Sequence, residues 1–137
     1  MTYEFIKLEI TDHVAVVSLD RTESLNAINT DFAREITSIF QALDQQDDVW
    51  AIILKSNARI FCAGLDLKQM TLSAPKDIGK LFKIPVDDRY LFDCCHAIDE
   101  CRKPVIAAVH SKCVGFGLDI YAACDMVLCT ADASFSL

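Results

Sequence analysis

Hydrophobic positions change their period several times along this chain, and each change marks an element. Tyr3 to Ile10 (YEFIKLEI) alternates, and Val14 to Leu19 (VAVVSL) is a β-branched apolar run. Both predict strands, with Thr11-Asp12-His13 as the turn between them. Asn29 or Thr30 can cap a helix, because either side chain can accept from the first free N–H groups. Phe32, Ile36, Ile39, Phe40 and Leu43 then recur at helical spacing, so one stripe faces a core. Gln45 to Asp48 is a polar stop, and Trp50 to Leu54 (WAIIL) predicts a buried strand.

A glycine-bearing loop, Phe61-Cys62-Ala63-Gly64-Leu65, follows that strand, and a short helix is expected from about Asp66. Leu72 to Val86 holds Pro75, Gly79 and Pro85 and reads as a mobile loop. A helix is expected from about Asp87 to Cys101, ending before Pro104, and Pro104 to His110 (PVIAAVH) is another buried strand. A second glycine loop, Cys113 to Gly117, leads into an apolar helix through Leu118 to Cys124. Met126 to Thr130 closes the pattern as one more short buried strand, with a further one possible near Phe135. Strands alternating with helices define an α/β chain with a largely parallel sheet.

Composition narrows the class of function. With 137 residues, one domain is expected, and 53% hydrophobic against 24% charged residues excludes a disordered chain. A net charge of −7 and no Lys/Arg cluster argue against nucleic acid held by bulk charge. The acidic balance leaves room for a small anionic ligand in a local pocket. Seven cysteines make no Cys-x-x-Cys pair, and His13, His96 and His110 are far apart, so no metal site is expected. Reduced thiols in an intracellular protein are the simplest account of that usage. The N-terminus lacks the basic and apolar regions of a secretory signal, and no run approaches the ~20 apolar residues of a membrane span. The last three residues, Phe135-Ser136-Leu137, are not a peroxisomal targeting signal.

The two glycine loops are the candidate chemistry. Each follows a buried strand and opens a helix, where backbone N–H groups have no intrahelical partner. Converging, they would offer two donors to one oxygen carrying developing negative charge, an oxyanion hole. The plainer explanation is that glycine serves the backbone geometry of a strand-to-helix turn.

The wording of the sequence bears on that choice. Leu19-Asp20-Arg21 followed by Leu25-Asn26-Ala27-Ile28 resembles the opening motif of the enoyl-CoA hydratase/isomerase (crotonase) superfamily. Phe61 to Met70 (FCAGLDLKQM) resembles its first oxyanion loop, and Lys103 to Gly117 with Ala123-Cys124-Asp125 resembles its second. The order and spacing also match, over nearly the whole chain. The resemblance is nearest to the delta-3,5-delta-2,4-dienoyl-CoA isomerase branch, which carries Ala-Gly-x-Asp-Leu in the first loop and an Asp two residues past the last glycine of the second.

That resemblance implies a crotonase-like spiral of ββα units over residues 1–137, with the C-terminal part of the domain absent. It implies that the N–H groups of Leu65 and Phe116 hold a thioester oxygen and that Asp119 transfers a proton. A desolvating apolar pocket would raise the basicity of that carboxylate. Leu25, Ala27, Ala63, Gly64, Asp66, Leu67, Gly115 and Gly117 would line the substrate site. Asp66 also has a plain role as a helix cap, and Asp125 reads as structural. No metal or redox cofactor is expected, since CoA arrives within the substrate. A homotrimer or hexamer would follow for a full domain. The compartment stays open among mitochondrion, peroxisome and cytoplasm.

Three features depart from the family pattern. Phe116 replaces the middle glycine of the second loop, and bulky residues are restricted where φ is positive. Ser111-Lys112 replaces a glycine common before that loop. The second catalytic acid would fall beyond Leu137. Dienoyl-CoA isomerisation in fatty-acid β-oxidation is the expected activity, with 2-enoyl-CoA hydration as one alternative. The other is an incomplete relative that binds acyl-CoA or partner subunits without turnover.

Overall fold

The computed structural model describes residues 2–68 and 89–137. Strands β1 (Ile6–Thr11) and β2 (Val14–Leu19) form an antiparallel hairpin, with Thr11 opposite Val14. Asp12 and His13 turn it with φ of 49° and 68°. Residues before Ile6 do not extend the first strand as the alternation predicted. The N–H groups of Glu4 and Phe5 instead donate to the Glu35 carboxylate at 2.7 and 2.8 Å. A side-chain acceptor thus takes over from a neighbouring strand.

Helix α1 (Thr30–Asp44) starts where Asn29 Oδ1 accepts from Phe32 N at 2.8 Å. The predicted stripe is the buried one: Phe32, Ile36, Ile39, Phe40 and Leu43 are inside, joined by Ala33. At its far end Asp44 accepts from the backbone N and the Nε of Arg102 at 2.8 and 3.1 Å. That contact fixes the approach to the next core strand.

Strand β3 (Ala51–Ser56) is parallel to β2, and β4 (Val105–Val109) is parallel to β3. Helix α2 (Arg89–Asp99) packs on α1 between them, burying Cys94 and Ile98. The expected mobile loop, Leu72 to Val86, and the expected helix start at Asp87 lie outside the described residues. Trp50 departs from the buried strand it was assigned to. It is 64% exposed and stacks on the His13 ring at 3.9 Å and 5°, so the strand begins one residue later.

Helix α3 (Phe116–Ala122) follows β5 (Lys112–Val114), a short strand inside the segment expected to be loop. Strand β6 (Met126–Cys129) adds parallel to β4, giving one sheet in the order β1-β2-β3-β4-β6. Strand β7 (Ser134–Ser136) pairs with β5 in a second, two-stranded sheet. Among the described residues only β1–β2 is antiparallel, so the largely parallel α/β sheet is as expected. One expectation fails: β6 is not buried, since all four of its residues are exposed. No described element covers its faces, and Leu128 stands 62% exposed.

Candidate active site

Segment 61–66 lies between two neighbours that hold it from both sides. On one side Ala63 N donates to Leu25 O at 3.0 Å, Ile28 N to Gly64 O at 2.7 Å, and Asp66 N to Ile28 O at 2.9 Å. On the other, Phe61 N donates to Lys112 O at 2.9 Å and Val114 N to Cys62 O at 3.0 Å. Parallel bridges Ile28–Leu65 and Cys62–Cys113 result. Glycine is demanded where the two loops touch. Gly64 has φ +90°, and a Cβ there would lie 3.0 Å from Val114 O and 3.6 Å from Phe116 N. Gly115 has φ +53° and ψ −124°, a region closed to other residues, and its N–H donates to Ser136 O at 2.9 Å.

Phe116 is the first residue of α3, and its φ is not among the positive ones. Gly115 carries the left-handed turn, so the Phe at the middle position is unstrained. The departure at Ser111 is the costly one, for its φ is +57°. Within the described residues neither the Leu65 nor the Phe116 N–H donates a hydrogen bond. The two turns lie side by side, since a Cβ on Gly115 would sit 3.8 Å from Gly64 Cα. Gly117 closes the joint, since a Cβ there would sit 2.9 Å from Cys62 Cβ and 3.0 Å from Cys113 Sγ.

Asp119 lies in the first turn of α3 and is exposed, contrary to the desolvating pocket expected for it. It borders a groove of about 810 Å³ between α2 and α3, shared with Leu91, Phe92, Cys95 and Phe116. Both helices give the groove apolar lining, Leu91 and Phe92 from one and Phe116 and Ala122 from the other, yet the Asp119 carboxylate stays open to water. Phe92 itself is 73% exposed.

The remaining expected residues fall as follows. Leu25 and Ala27 are half-buried beside Ala63, and Leu67 is 69% exposed at the start of a helical turn. Asp66 takes its plain role, Oδ1 accepting from Lys68 N at 3.1 Å, and adds another: Oδ2 pairs with Arg21 Nη1 at 2.7 Å. Asp125 accepts from Val105 N at 2.7 Å and is a structural tie. Cys62 is fully buried, and that burial pushes its thiol up to about 11; Cys113 is raised to about 12 for the same reason. Neither is a nucleophile at neutral pH.

Asn26 is the residue that motif reading passed over. It is fully buried, and its Nδ2 donates to Ser56 Oγ at 2.8 Å and to the carbonyls of Leu19 and Phe61 at 3.3 and 3.2 Å. Its Oδ1 accepts from Arg21 N at 2.8 Å. One side chain therefore joins the ends of β2 and β3 to the first loop. The available signal was an amide between apolar neighbours in Leu25-Asn26-Ala27-Ile28, since buried polar groups are kept where they are fully bonded.

A largely parallel sheet thus feeds two glycine loops that lie side by side, and within the described residues the Leu65 and Phe116 N–H groups donate to nothing. The chain matches the family described as enoyl-CoA hydratase/isomerase over residues 9–137, and it belongs to that family. It is similar to the peroxisomal Delta(3,5)-Delta(2,4)-dienoyl-CoA isomerase of Arabidopsis thaliana, 35% identical over 99% of this chain and 51% of the relative. It is also similar to the mitochondrial Delta(3,5)-Delta(2,4)-dienoyl-CoA isomerase of Rattus norvegicus, 34% identical over 98% of this chain and 43% of the relative. Among solved structures, an enoyl-CoA hydratase from Mycobacterium smegmatis superposes with a TM-score of 0.81 at 28% identity, covering 96% of this chain and 49% of that one. The chain thus spans about half the length of the curated relatives it matches.

Proposed function

We propose that this chain carries the carbonyl-polarising part of a dienoyl-CoA isomerase site. The supporting observation is the close approach of the Gly64 and Gly115 turns, beside which stand the Leu65 and Phe116 N–H groups, neither donating within the described residues. A thioester oxygen held by both would gain more as negative charge develops on it than in the ground state. Each such donor is worth about 2.7–4 kcal/mol of barrier in sites of this type. Stabilising that charge acidifies carbons conjugated to the carbonyl, so a double bond can migrate once a proton is removed and returned.

To Asp119, on the helical turn that begins at Phe116, we assign the exchange of that proton. Double-bond migration needs a second acid or base, contributed by another group or by water. CoA enters as part of the substrate. Similarity to Delta(3,5)-Delta(2,4)-dienoyl-CoA isomerases supports this chemistry, and fatty-acid β-oxidation is the setting we assign to it.

The test is ultraviolet monitoring of 3,5-dienoyl-CoA with the purified chain, alongside its rate of hydrating a 2-enoyl-CoA. Appearance of the 2,4-dienoyl chromophore, lost in Asp119→Asn, is the expected result. Hydration exceeding isomerisation would replace the reading with a hydratase. Acyl-CoA binding without turnover would reduce it to a binding role, and turnover undiminished in Asp119→Asn would remove Asp119 from the mechanism.

A further inference from the structure

We infer that the Arg21–Asp66 ion pair is a positioning device for the Leu65 N–H, an inference that rests on the oxyanion reading above. Arg21 stands just past the end of β2, 45 residues from Asp66, and its side chain turns inward. A single nitrogen, Nη1, donates both to Asp66 Oδ2 and to Ala27 O, each at 2.7 Å. The guanidinium carbon lies 5.5 Å from the centre of the Phe5 ring, so the cation is stacked as well as paired. The two side chains are only 14% and 12% exposed.

The pair acts on Leu65 from the C-terminal side. Asp66 is the next residue, and its carboxylate is fixed at both oxygens, one by Arg21 and one by Lys68 N at 3.1 Å. Its own N–H is held by Ile28 O at 2.9 Å. From the N-terminal side, Gly64 O is held by Ile28 N at 2.7 Å. The Leu65 N–H thus belongs to the peptide whose carbonyl Ile28 N holds, the next peptide is held at Asp66 N, and the Leu65 N–H itself stays outside the ladder. The partner segment is fixed by the same arginine. Its backbone N donates to Asn26 Oδ1 at 2.8 Å, and its carbonyl accepts from Asn26 N at 2.9 Å. That clamp spans Leu25 and Asn26, consecutive residues at φ 52° and 55°, a left-handed conformation that Asn adopts readily and Leu does not.

Stability is a poor explanation of this arrangement. Removing two charges from water offsets most of the attraction between them, and apolar replacements of such pairs are often no less stable. Arg21 Nε, moreover, is buried with no partner among the described residues. A pair selected for stability would not leave that donor unsatisfied. Holding Asp66, and with it the backbone that follows Leu65, needs only Nη1 and both Asp66 oxygens.

The experiment uses the whole chain and the variants Asp66→Asn and Arg21→Met. Hydrogen exchange is read at single amides, together with the absorption shift of bound 2,4-hexadienoyl-CoA, whose carbonyl polarisation moves its band to the red. We expect the Ile28 and Asp66 amides to exchange at least about tenfold faster in both variants, with Ile52 and Leu54 in β3 unchanged. The red shift should shrink while affinity moves by less than about threefold. Unchanged exchange at Ile28 and Asp66, exchange that rises equally in β3, or a red shift as large as the wild type's would each overturn the positioning role alone. A wild-type chain that gives no red shift would overturn the oxyanion reading, and the role of the pair with it.

Discussion

Single residues set the local geometry, and two of them stand apart from the motifs around them. Asn26 spends its whole amide inside the fold, donating to Ser56 Oγ and two carbonyls and accepting from Arg21 N. Asn26→Ala strands those partners, and unfolding in urea should show a loss of about 2–4 kcal/mol. Ser111 pays for a left-handed backbone that a glycine would adopt freely. Ser111→Gly should raise stability by about 0.5–1 kcal/mol, read as a higher urea midpoint at constant slope. The sequence showed that a glycine position had been replaced; only the backbone angle shows that the replacement is strained. The opposite holds at Phe116, where the suspected strain belongs to Gly115 instead.

At the scale of elements, the α1 stripe and the strands β2, β3 and β4 were legible because their periodicity reflects one buried face each. Short elements were not. Strand β5 has three residues, too few for a period, and exists because β7 pairs with it in register. Trp50 looked like strand interior by hydrophobicity, yet His13 offers it a stacking partner at the surface. The joint between α3 and the first loop depends on Gly117, which sequence spacing could mark as glycine without giving the reason. A methyl group there meets Cys62 Cβ at 2.9 Å, an atom that cannot rotate away. Gly117→Ala should cost about 1–3 kcal/mol in chemical denaturation and should weaken acyl-CoA binding through displacement of the Phe116 amide.

For the molecule as a whole, charge governs the response to acid. The hydrogen bond from Arg102 holds the Asp44 carboxyl below its usual 3.8, and the hydrogen bond from Lys7 does the same for Asp20. A carboxyl whose pKa is lower folded than unfolded stabilises the fold above its unfolded value. That contribution disappears as pH falls through the folded value. The urea midpoint, followed by the fluorescence of Trp50, should hold level down to about pH 4 and then decline. In Asp44→Asn the midpoint should be lower at neutral pH and the acid decline shallower. An equal slope in wild type and variant would remove the Asp44–Arg102 contact between α1 and the β4 approach as a source of acid sensitivity.

The sequence by itself determined the α/β class, the buried stripe of α1, the family and the two glycine loops. These rest on local periodicity and on short words whose residues are neighbours in the chain. Tertiary structure decided which backbone angles those words take, that the Gly64 and Gly115 turns lie side by side, and that Arg21 reaches Asp66 across 45 residues. It also decided the exposure of Asp119 and of β6, which depends on what packs against them. Contacts between distant segments leave no period in a single sequence, because either partner alone has an ordinary explanation.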